Sequence, residues 1–496
     1  MHFRIQIVIS EDDSTEQPQV IADIPRAAAT LDTLGLTVAE STHLLEQLQR
    51  IMVDQQVAAY LAQQRACPTC GKNRQLKQGD TAPFRTLFGL VQLPTPRGYH
   101  CECQPQAAKT VRPLTALLPE RSSPELRYRE TKWAALASYG ITTTLLHDVL
   151  PIDQPQSAVT VRNHVFAAAR RSEQAMGEEL AMGAAGCQAE RNQLPIPDGP
   201  LAVGRDGGIV RARRGTLDAK TGNLFEVIAG KSIVSFRRDD PEGVPPSRTC
   251  FALVRACDTK PKRRLWDVLQ AQGMQANQQV TFFSDGGATV RLLPRYLHPE
   301  AEHLLDWFHI TMKSTVLQQC TRGIAQPKVS ERAADGADEE RLERRLERSK
   351  QYLWHGNSAK ALERLQVLEA TLACWGCDEV GDRPASGVAD SVTRMRKYVQ
   401  ELTTYITNNA SCIVNYGERY RNGARISTAF VESTINHVVS KRMVKQQQMQ
   451  WTPEGAHLLL QVRVQVINED WEATFRRWYP NVRPVQPGGA AQALAA

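Results

Sequence analysis

From Ile21 to Gln64, apolar residues recur at helical spacing: Leu31, Leu34, Leu36, Val38, Leu44, Leu45, Leu48, Ile51 and Met52. This predicts two or three helices. Met1 to Asp13 is a short alternating stretch that turns acidic. Between Arg65 and Arg112 the character changes. There Leu87-Phe88-Gly89-Leu90-Val91-Gln92-Leu93 lies between two close cysteine pairs and reads as short strands and turns. Pro113 to Leu194 is helical again, punctuated by Pro151, Pro155, Pro195, Pro197 and Pro200. From Leu201 to about Ile310 the pattern becomes strand-like, with strands expected at Leu201–Arg205, Leu224–Phe236, Thr249–Ala256 and Val280–Phe283. Helices are expected at Arg263–Gly273 and Val290–Leu297, a succession that suggests an α/β domain. Ser330 to about Ala424 is charged and helix-rich. It is followed by a long helix over Thr428–Trp451, another over Gly455–Trp478, and a Pro/Gly/Ala tail expected to be disordered.

The chain thus divides into an N-terminal helical region (1–64), a cysteine-bearing ribbon (65–112), a helical domain (113–195) and the first part of an α/β core (196–329). An all-α segment (330–425), the C-terminal helices of the core (426–480) and a tail (481–496) follow. The fold class is multidomain α+β.

Charge and cysteine content sharpen this only slightly. Lys and Arg number 60 against 53 Asp and Glu, a net +7 that argues weakly for an anionic partner. Local basic clusters are Arg211, Arg213 and Arg214; Lys260, Lys262, Arg263 and Arg264; Lys441, Arg442 and Lys445. Each reads equally well as a solvated face. No apolar run approaches the roughly 18–20 residues of a membrane span, and the N-terminus lacks a signal-peptide pattern. A cytoplasmic protein is expected, in which eleven cysteines serve as thiols and metal ligands rather than disulfides.

Cys67-Pro-Thr-Cys70-Gly, followed about 30 residues on by Cys101-Glu-Cys103, has the spacing of a four-sulfur structural zinc site. The alternative is free thiols or a redox pair. Cys374-Trp-Gly-Cys377 has no partner pair nearby and reads as packing. Between Tyr128 and Arg171 a helix, a turn near Gly140 and two further helices suggest a helix-turn-helix reader, with a plain helical bundle as the alternative. In the first reading Thr160, Arg162, Asn163 and His164 face phosphates or base edges.

The stronger signal is acidic. An apolar strand runs into Asp206-Gly207-Gly208, and the pattern recurs at Asp285-Gly286-Gly287. Carboxylates at the ends of neighbouring strands can converge on one metal site, although Asp before Gly is also a turn former. Glu432, preferred over Glu418, lies on the Thr428–Trp451 helix with Asn436 one turn along. Three hard carboxylates suit two Mg²⁺ or Mn²⁺ ions and phosphodiester chemistry. Asp306 and His309 follow the second Asp at a spacing that shares one face of a helical turn. They read either as assistants at that site or as a buried, satisfied histidine and its neighbour.

The order Asp206, Asp285, Glu432, with Asp306-x-x-His309 between, resembles the ribonuclease-H-like DDE transposases of insertion sequences. Phe430-Val431-Glu432-Ser433 through Asn436, Lys441-Arg442-Met443 and Gln447 to Trp451 look like the ISKra type. So do Cys67-Pro-x-Cys70-Gly and Arg85 to Gly89. The resemblance covers about residues 20–480. It implies a ribonuclease-H-like core interrupted by an all-α insertion, metal held by Asp206, Asp285 and Glu432, and assistance from Asp306 and His309. It further implies Lys441, Arg442 and Lys445 on DNA phosphates. Binding to terminal inverted repeats and target DNA, strand cleavage and joining, and a multimer on DNA are also implied. A zinc-containing DNA binder that no longer cuts, and a nuclease that only hydrolyses, are the alternatives.

Overall fold

A computed structural model describes residues 1–9, 17–26, 30–31, 34–67, 69–74, 76–77, 79–99, 101, 103, 110–150, 156–179, 193–197, 200–216, 222–234, 249–286, 301–322, 324, 341–375, 386–444 and 449–482. The expected helix Val290–Leu297, together with Gly287, Cys377, Lys445 and the tail from Pro484, lies outside them, as does the side chain of Glu432. The chain forms two compact units, Met1–Arg171 with Glu469–Ala496, and Ser172–Asn468. Among the described residues no helix is long and apolar enough to cross a membrane.

The first unit opens on strands, not helices. β1 (His2–Ile9) and β2 (Gln17–Pro25) pair antiparallel. The expectation of helices from Ile21 onward is corrected: Ile21–Pro25 is strand, Leu31, Leu34 and Leu36 are exposed and outside any helix, and one helix, Val38–Gln63, carries the periodic run from Val38 on. Thr37 and Glu40 form a capping box that fixes the helix start. Its buried residues Val53, Val57 and Leu61 recur every four positions and pack against Val91, Leu93 and Leu114.

Two small sheets follow. One combines β3 (Leu76–Lys77), β6 (Arg97–Tyr99) and β7 (Thr110–Val111); the other is a hairpin of β4 (Thr81–Thr86) and β5 (Gly89–Pro94). Helices Pro124–Leu136 and Tyr139–Val149, capped by Ser123 and Ser138, precede the helix Ala158–Ala175. The helix Trp471–Trp478 returns to this unit, where the Trp471 indole donates to the Thr131 hydroxyl at 3.1 Å.

The second unit is built on a five-stranded mixed sheet. Its strands are β8 (Leu201–Arg211), β9 (Leu224–Val234), β10 (Thr249–Val254), β11 (Val280–Ser284) and β12 (Glu302–Leu305), in the order β10-β9-β8-β11-β12. β8, β9 and β10 run as an antiparallel meander, and β11 and β12 join parallel to β8. β12 was absent from the sequence reading because four residues are too few for a periodic signal.

Alternation along the strands sorts the two faces. Leu201, Val203, Val280 and Phe282 pack against Leu265, Val268 and Leu269 of the helix Pro261–Ala271. Ala202, Phe283, Leu304 and Ile233 face the other way, toward Phe430 and Val414. A helical core joins Trp307–Thr321 to Leu342–Trp354, Ser358–Trp375 and Ser386–Asn409. It therefore starts at 307, before the boundary expected at 330. At the sheet edge the Asn468 side chain exchanges hydrogen bonds with both backbone groups of Cys250, at 2.8 and 2.9 Å, so an amide satisfies the exposed edge of β10.

Candidate functional site

Register brings the acidic residues together. β8 and β11 pair Gly204 with Phe283, so two residues further on Asp206 and Asp285 fall level. β11 and β12 pair Ser284 with Leu305, and the Asp306 amide continues the ladder by donating to the Ser284 carbonyl at 2.9 Å. Asp206, Asp285 and Asp306 thus come at or just beyond the paired stretches of three neighbouring strands, Asp206 and Asp285 each two residues past the last pair between β8 and β11. Period two places all three on the face of Ala202, Phe283 and Leu304.

Asp206 does not end its strand as expected. β11 stops pairing with β8 at Gly204, but β9 stays paired with it to Arg211, so Asp206 lies mid-strand beside the gap where β11 leaves off.

The helix Ala429–Ile435 covers this face. A Cβ at Gly204 would overlap the Val431 Cγ2 methyl, with the Phe430 ring at 2.8 Å. A Cβ at Gly208 would meet Ile435 at 3.6 Å, an ordinary contact. Gly204, Asp206 and Gly208 share one strand face, and Val431 and Ile435 lie above the two glycines. The helix that bears Glu432 therefore lies along the face of β8 that Asp206 shares. A π-helical turn, Asn436–Ser440, follows at once, so the expected long helix is broken. The buried Arg463 guanidinium donates to the carbonyls of Val438 and His437 at 2.7 and 2.5 Å, which satisfies groups the turn releases.

The acidic residues differ in their surroundings. Asp206 accepts the Gly207 N–H at 2.8 Å. Burial pushes its carboxyl above the usual range, the Asp285 and Asp306 charges add to this, and the Gly207 bond and His309 oppose it. Asp306 is fully buried. It caps the helix Trp307–Thr321 through the Phe308 N–H at 2.8 Å and accepts the Thr428 hydroxyl, and burial raises its carboxyl too. His309 Nε2 lies 3.7 Å from the Asp306 carboxylate. Asp306 thus ties the helix start and the segment leading to Glu432 to the end of β12. The Tyr405 hydroxyl donates to the Asp285 carbonyl at 2.9 Å. A cleft of about 600 Å³ opens beside Gly286, lined by Lys313, Lys397, Gln400 and Asn408.

Among the described residues, two groups bring three or more ligand atoms within 4.8 Å of one another, and Asp206, Asp285 and Asp306 are not one of them. The first is Cys67, Cys70, Cys101 and Cys103. Cys67 and Cys103 sulfurs lie 3.6 Å apart, and those of Cys70 and Cys101 3.4 Å. Sulfurs on a tetrahedral zinc at about 2.3 Å would be about 3.8 Å apart. The Cys-x-Cys pair therefore closes on the Cys-x-x-Cys pair, and the four could hold a metal ion such as zinc. The turn is set by the Gly71 N–H donating to the Cys67 carbonyl at 2.9 Å, with Gly71 at φ +70. The backbone N–H groups of Cys70 and Thr69 pull the Cys67 thiol down to about 6, toward the thiolate that metals bind.

The second group, Glu173, Asp258 and His457, escaped the sequence reading. Arg264 fills it: the guanidinium donates to Asp258 at 3.0 and 3.1 Å, to Glu173 at 2.9 and 3.1 Å, and to Gln461 at 2.5 Å. A cation already occupies this cluster, so it is an internal ion network. It also takes Arg264 out of the basic cluster that began at Lys260.

The expected DNA-facing residues divide. Asn163 and Lys441 are exposed, and Arg162 is half-buried with its guanidinium 5.7 Å from the Phe166 ring centre. His164 pairs with the buried Glu130 at 2.5 Å and so faces the helix Pro124–Leu136. Arg442 is buried, 3% exposed, over the Trp451 ring, which corrects its expected place on DNA phosphates. Cys374, expected to pack, is exposed.

No protein-family model matches the chain, and no curated protein is significantly similar to it.

Proposed function

We propose that the chain is a DNA transposase with a ribonuclease-H-like core, cutting and joining phosphodiester bonds at Asp206, Asp285 and Glu432. The observation that carries this is the level pair Asp206 and Asp285 at neighbouring parallel strands, on the face covered by the helix that bears Glu432. The sheet supports the reading, because an antiparallel meander extended by two parallel strands is the ribonuclease-H-like order. The helices between β12 and Ala429 stand where an insertion would interrupt that core.

Carboxylate oxygens are the donors that Mg²⁺ and Mn²⁺ take, so Asp206 and Asp285 fit two such ions shared with Glu432. Bound there, the ions would activate the attacking oxygen and stabilise the leaving one. In cleavage a phosphorus–oxygen bond forms from water, and in joining from a freed 3′-hydroxyl. The bond to the leaving strand breaks in each case, and the nucleophile's proton passes to solvent. Asp306 and Thr428 hold the Glu432 helix to the sheet, and Lys313 and Lys397 supply positive charge in the neighbouring cleft. The Cys67, Cys70, Cys101 and Cys103 site takes structural zinc, and Asn163, Arg162 and Lys441 contact the DNA backbone.

Supercoiled plasmid with Mn²⁺ tests this without knowledge of the terminal repeats. The wild type should nick it, and Asp206→Asn, Asp285→Asn and Glu432→Gln should each bind DNA but leave it intact. A second reading, a zinc-bearing DNA binder that does not cut, is favoured by the failure of the three aspartates to close on one point. DNA binding without any nicking by the wild type would select it.

A further inference from the structure

The helix Ser386–Asn409 presents two unlike faces. Val392, Met395, Val399, Leu402 and Ile406 are buried in the helical core. Lys397, Gln400, Glu401, Thr404 and Asn408 are exposed and line the cleft beside Gly286. Their spacing of three and four residues puts them in one row, about 16 Å long from Lys397 to Asn408. A polar row on a helix is usually a solvated face. This one has an opposite wall, because Lys313 of the helix Trp307–Thr321 lines the same cleft with its Nζ 4.9 Å from the centre of the Tyr405 ring.

The row also runs into the acidic site. The Tyr405 hydroxyl bonds the Asp285 carbonyl, and a Cβ at Gly286 would meet the Asn409 amide at 2.8 Å. Burial raises the Tyr405 hydroxyl above its ordinary range, and the charges of Asp285 and Asp306 push the same way. The lining then selects the ligand. Lys313 and Lys397 are cations, and Glu401, 4.0 Å from Lys397, offsets only one of them. Gln400 and Asn408 carry amides, which offer a donor and an acceptor side by side, as base edges do. A duplex, whose major groove alone is about 12 Å wide, is too large to enter a cleft of about 600 Å³, whereas one strand can.

We propose that this groove takes a short single-stranded stretch of DNA next to the bond presented to Asp206 and Asp285, with Lys313 and Lys397 on its phosphates and Gln400 and Asn408 on its base edges. This rests on the phosphodiester reading of that site. The protein then acts on ends whose strands have separated, and part of its sequence preference lies in the two amides.

The full-length chain is photo-crosslinked to a single-stranded oligonucleotide carrying 4-thiothymidine, and to the duplex of the same sequence, and the attached peptides are mapped by mass spectrometry. Single-strand crosslinks should fall on the peptides that hold Lys313 or 397–409, with at least about fivefold fewer there from the duplex. Lys397→Ala, and Gln400→Leu combined with Asn408→Leu, should each cut this crosslinking at least about fivefold. Rising salt should weaken it less steeply in Lys397→Ala than in wild type, but equally in the amide variant. These side chains are exposed, so melting should match wild type. Crosslinks that map elsewhere, or equal yields from strand and duplex, overturn the proposal. Plasmid nicking in Mn²⁺, with Asp206→Asn as control, separates the two readings. If Asp206-dependent nicking persists while the groove takes no strand, only the groove falls. If the wild type does not nick yet the single strand crosslinks in the groove, the strand-cutting reading falls and the groove stands.

Discussion

The four cysteines and the row of aspartates are both clusters of metal-type ligands, yet the protein assembles them in opposite ways. The sulfurs come from short turns and already lie at 3.4 and 3.6 Å, within one ion's reach. The aspartates come at or just past the paired stretches of three neighbouring strands, and they remain apart. Ligands of a structural metal converge because the metal adds to folding energy, and these four sulfurs could hold one. Like charges carried on a rigid sheet do not collapse onto each other, and the site proposed for substrate stays open. Closure is local in the first case; in the second it waits on what binds.

The largest effect expected from this contrast lies at the cysteines. Cys67→Ser should lose the bound metal, measured as zinc per chain. Chelation should then speed hydrogen exchange across 65–112 while leaving the five-stranded sheet protected, since a structural zinc contributes on the order of 10 kcal/mol. Exchange that rises equally in both regions would erase the distinction.

Next is chemistry at the open site. Asp206→Asn or Asp285→Asn should cut plasmid nicking by at least about a hundredfold with DNA affinity within about threefold. Loss of affinity in step with nicking would instead make these residues part of the binding surface.

Packing comes third. Gly204→Ala should destabilise by about 1–3 kcal/mol, because its methyl meets Val431 and Phe430 where the Glu432 helix rests. Gly208→Ala, with its nearest neighbour at 3.6 Å, should be close to neutral by denaturant titration. Equal effects at the two glycines would show that the helix does not rest on Gly204.

The smallest effect is one of pH. Asp206 titrates above its ordinary 3.8 in the folded protein, so from that value upward the folded state holds a proton the unfolded chain has released. Without metal, stability should fall as pH rises through that window, and the deficit should persist above it. Asp206→Asn should therefore melt higher than wild type at pH 7 and equally at pH 3, and Mg²⁺ should shrink the difference at pH 7. A lower melting point for the variant at pH 7 would mean that the carboxylate stabilises the fold.

What the sequence determined by itself was local. Cys67 and Cys70 lie three residues apart with a glycine to turn on, so their convergence needs only that turn. The runs around Leu201–Arg205 and Val280–Phe283 announced strands, and Ser123, Ser138 and Thr452 stand where helices begin. The tertiary structure decided the rest. Whether Arg442 and His164 face water or a neighbouring element depends on packing that no local period encodes. The strand β12, and with it the level placing of Asp306, is fixed by pairing with β11. Asp206 and Asp285 lie 79 positions apart along the chain. Only the register between β8 and β11 makes them neighbours, because backbone hydrogen bonding rather than side-chain pattern sets which residues fall opposite each other.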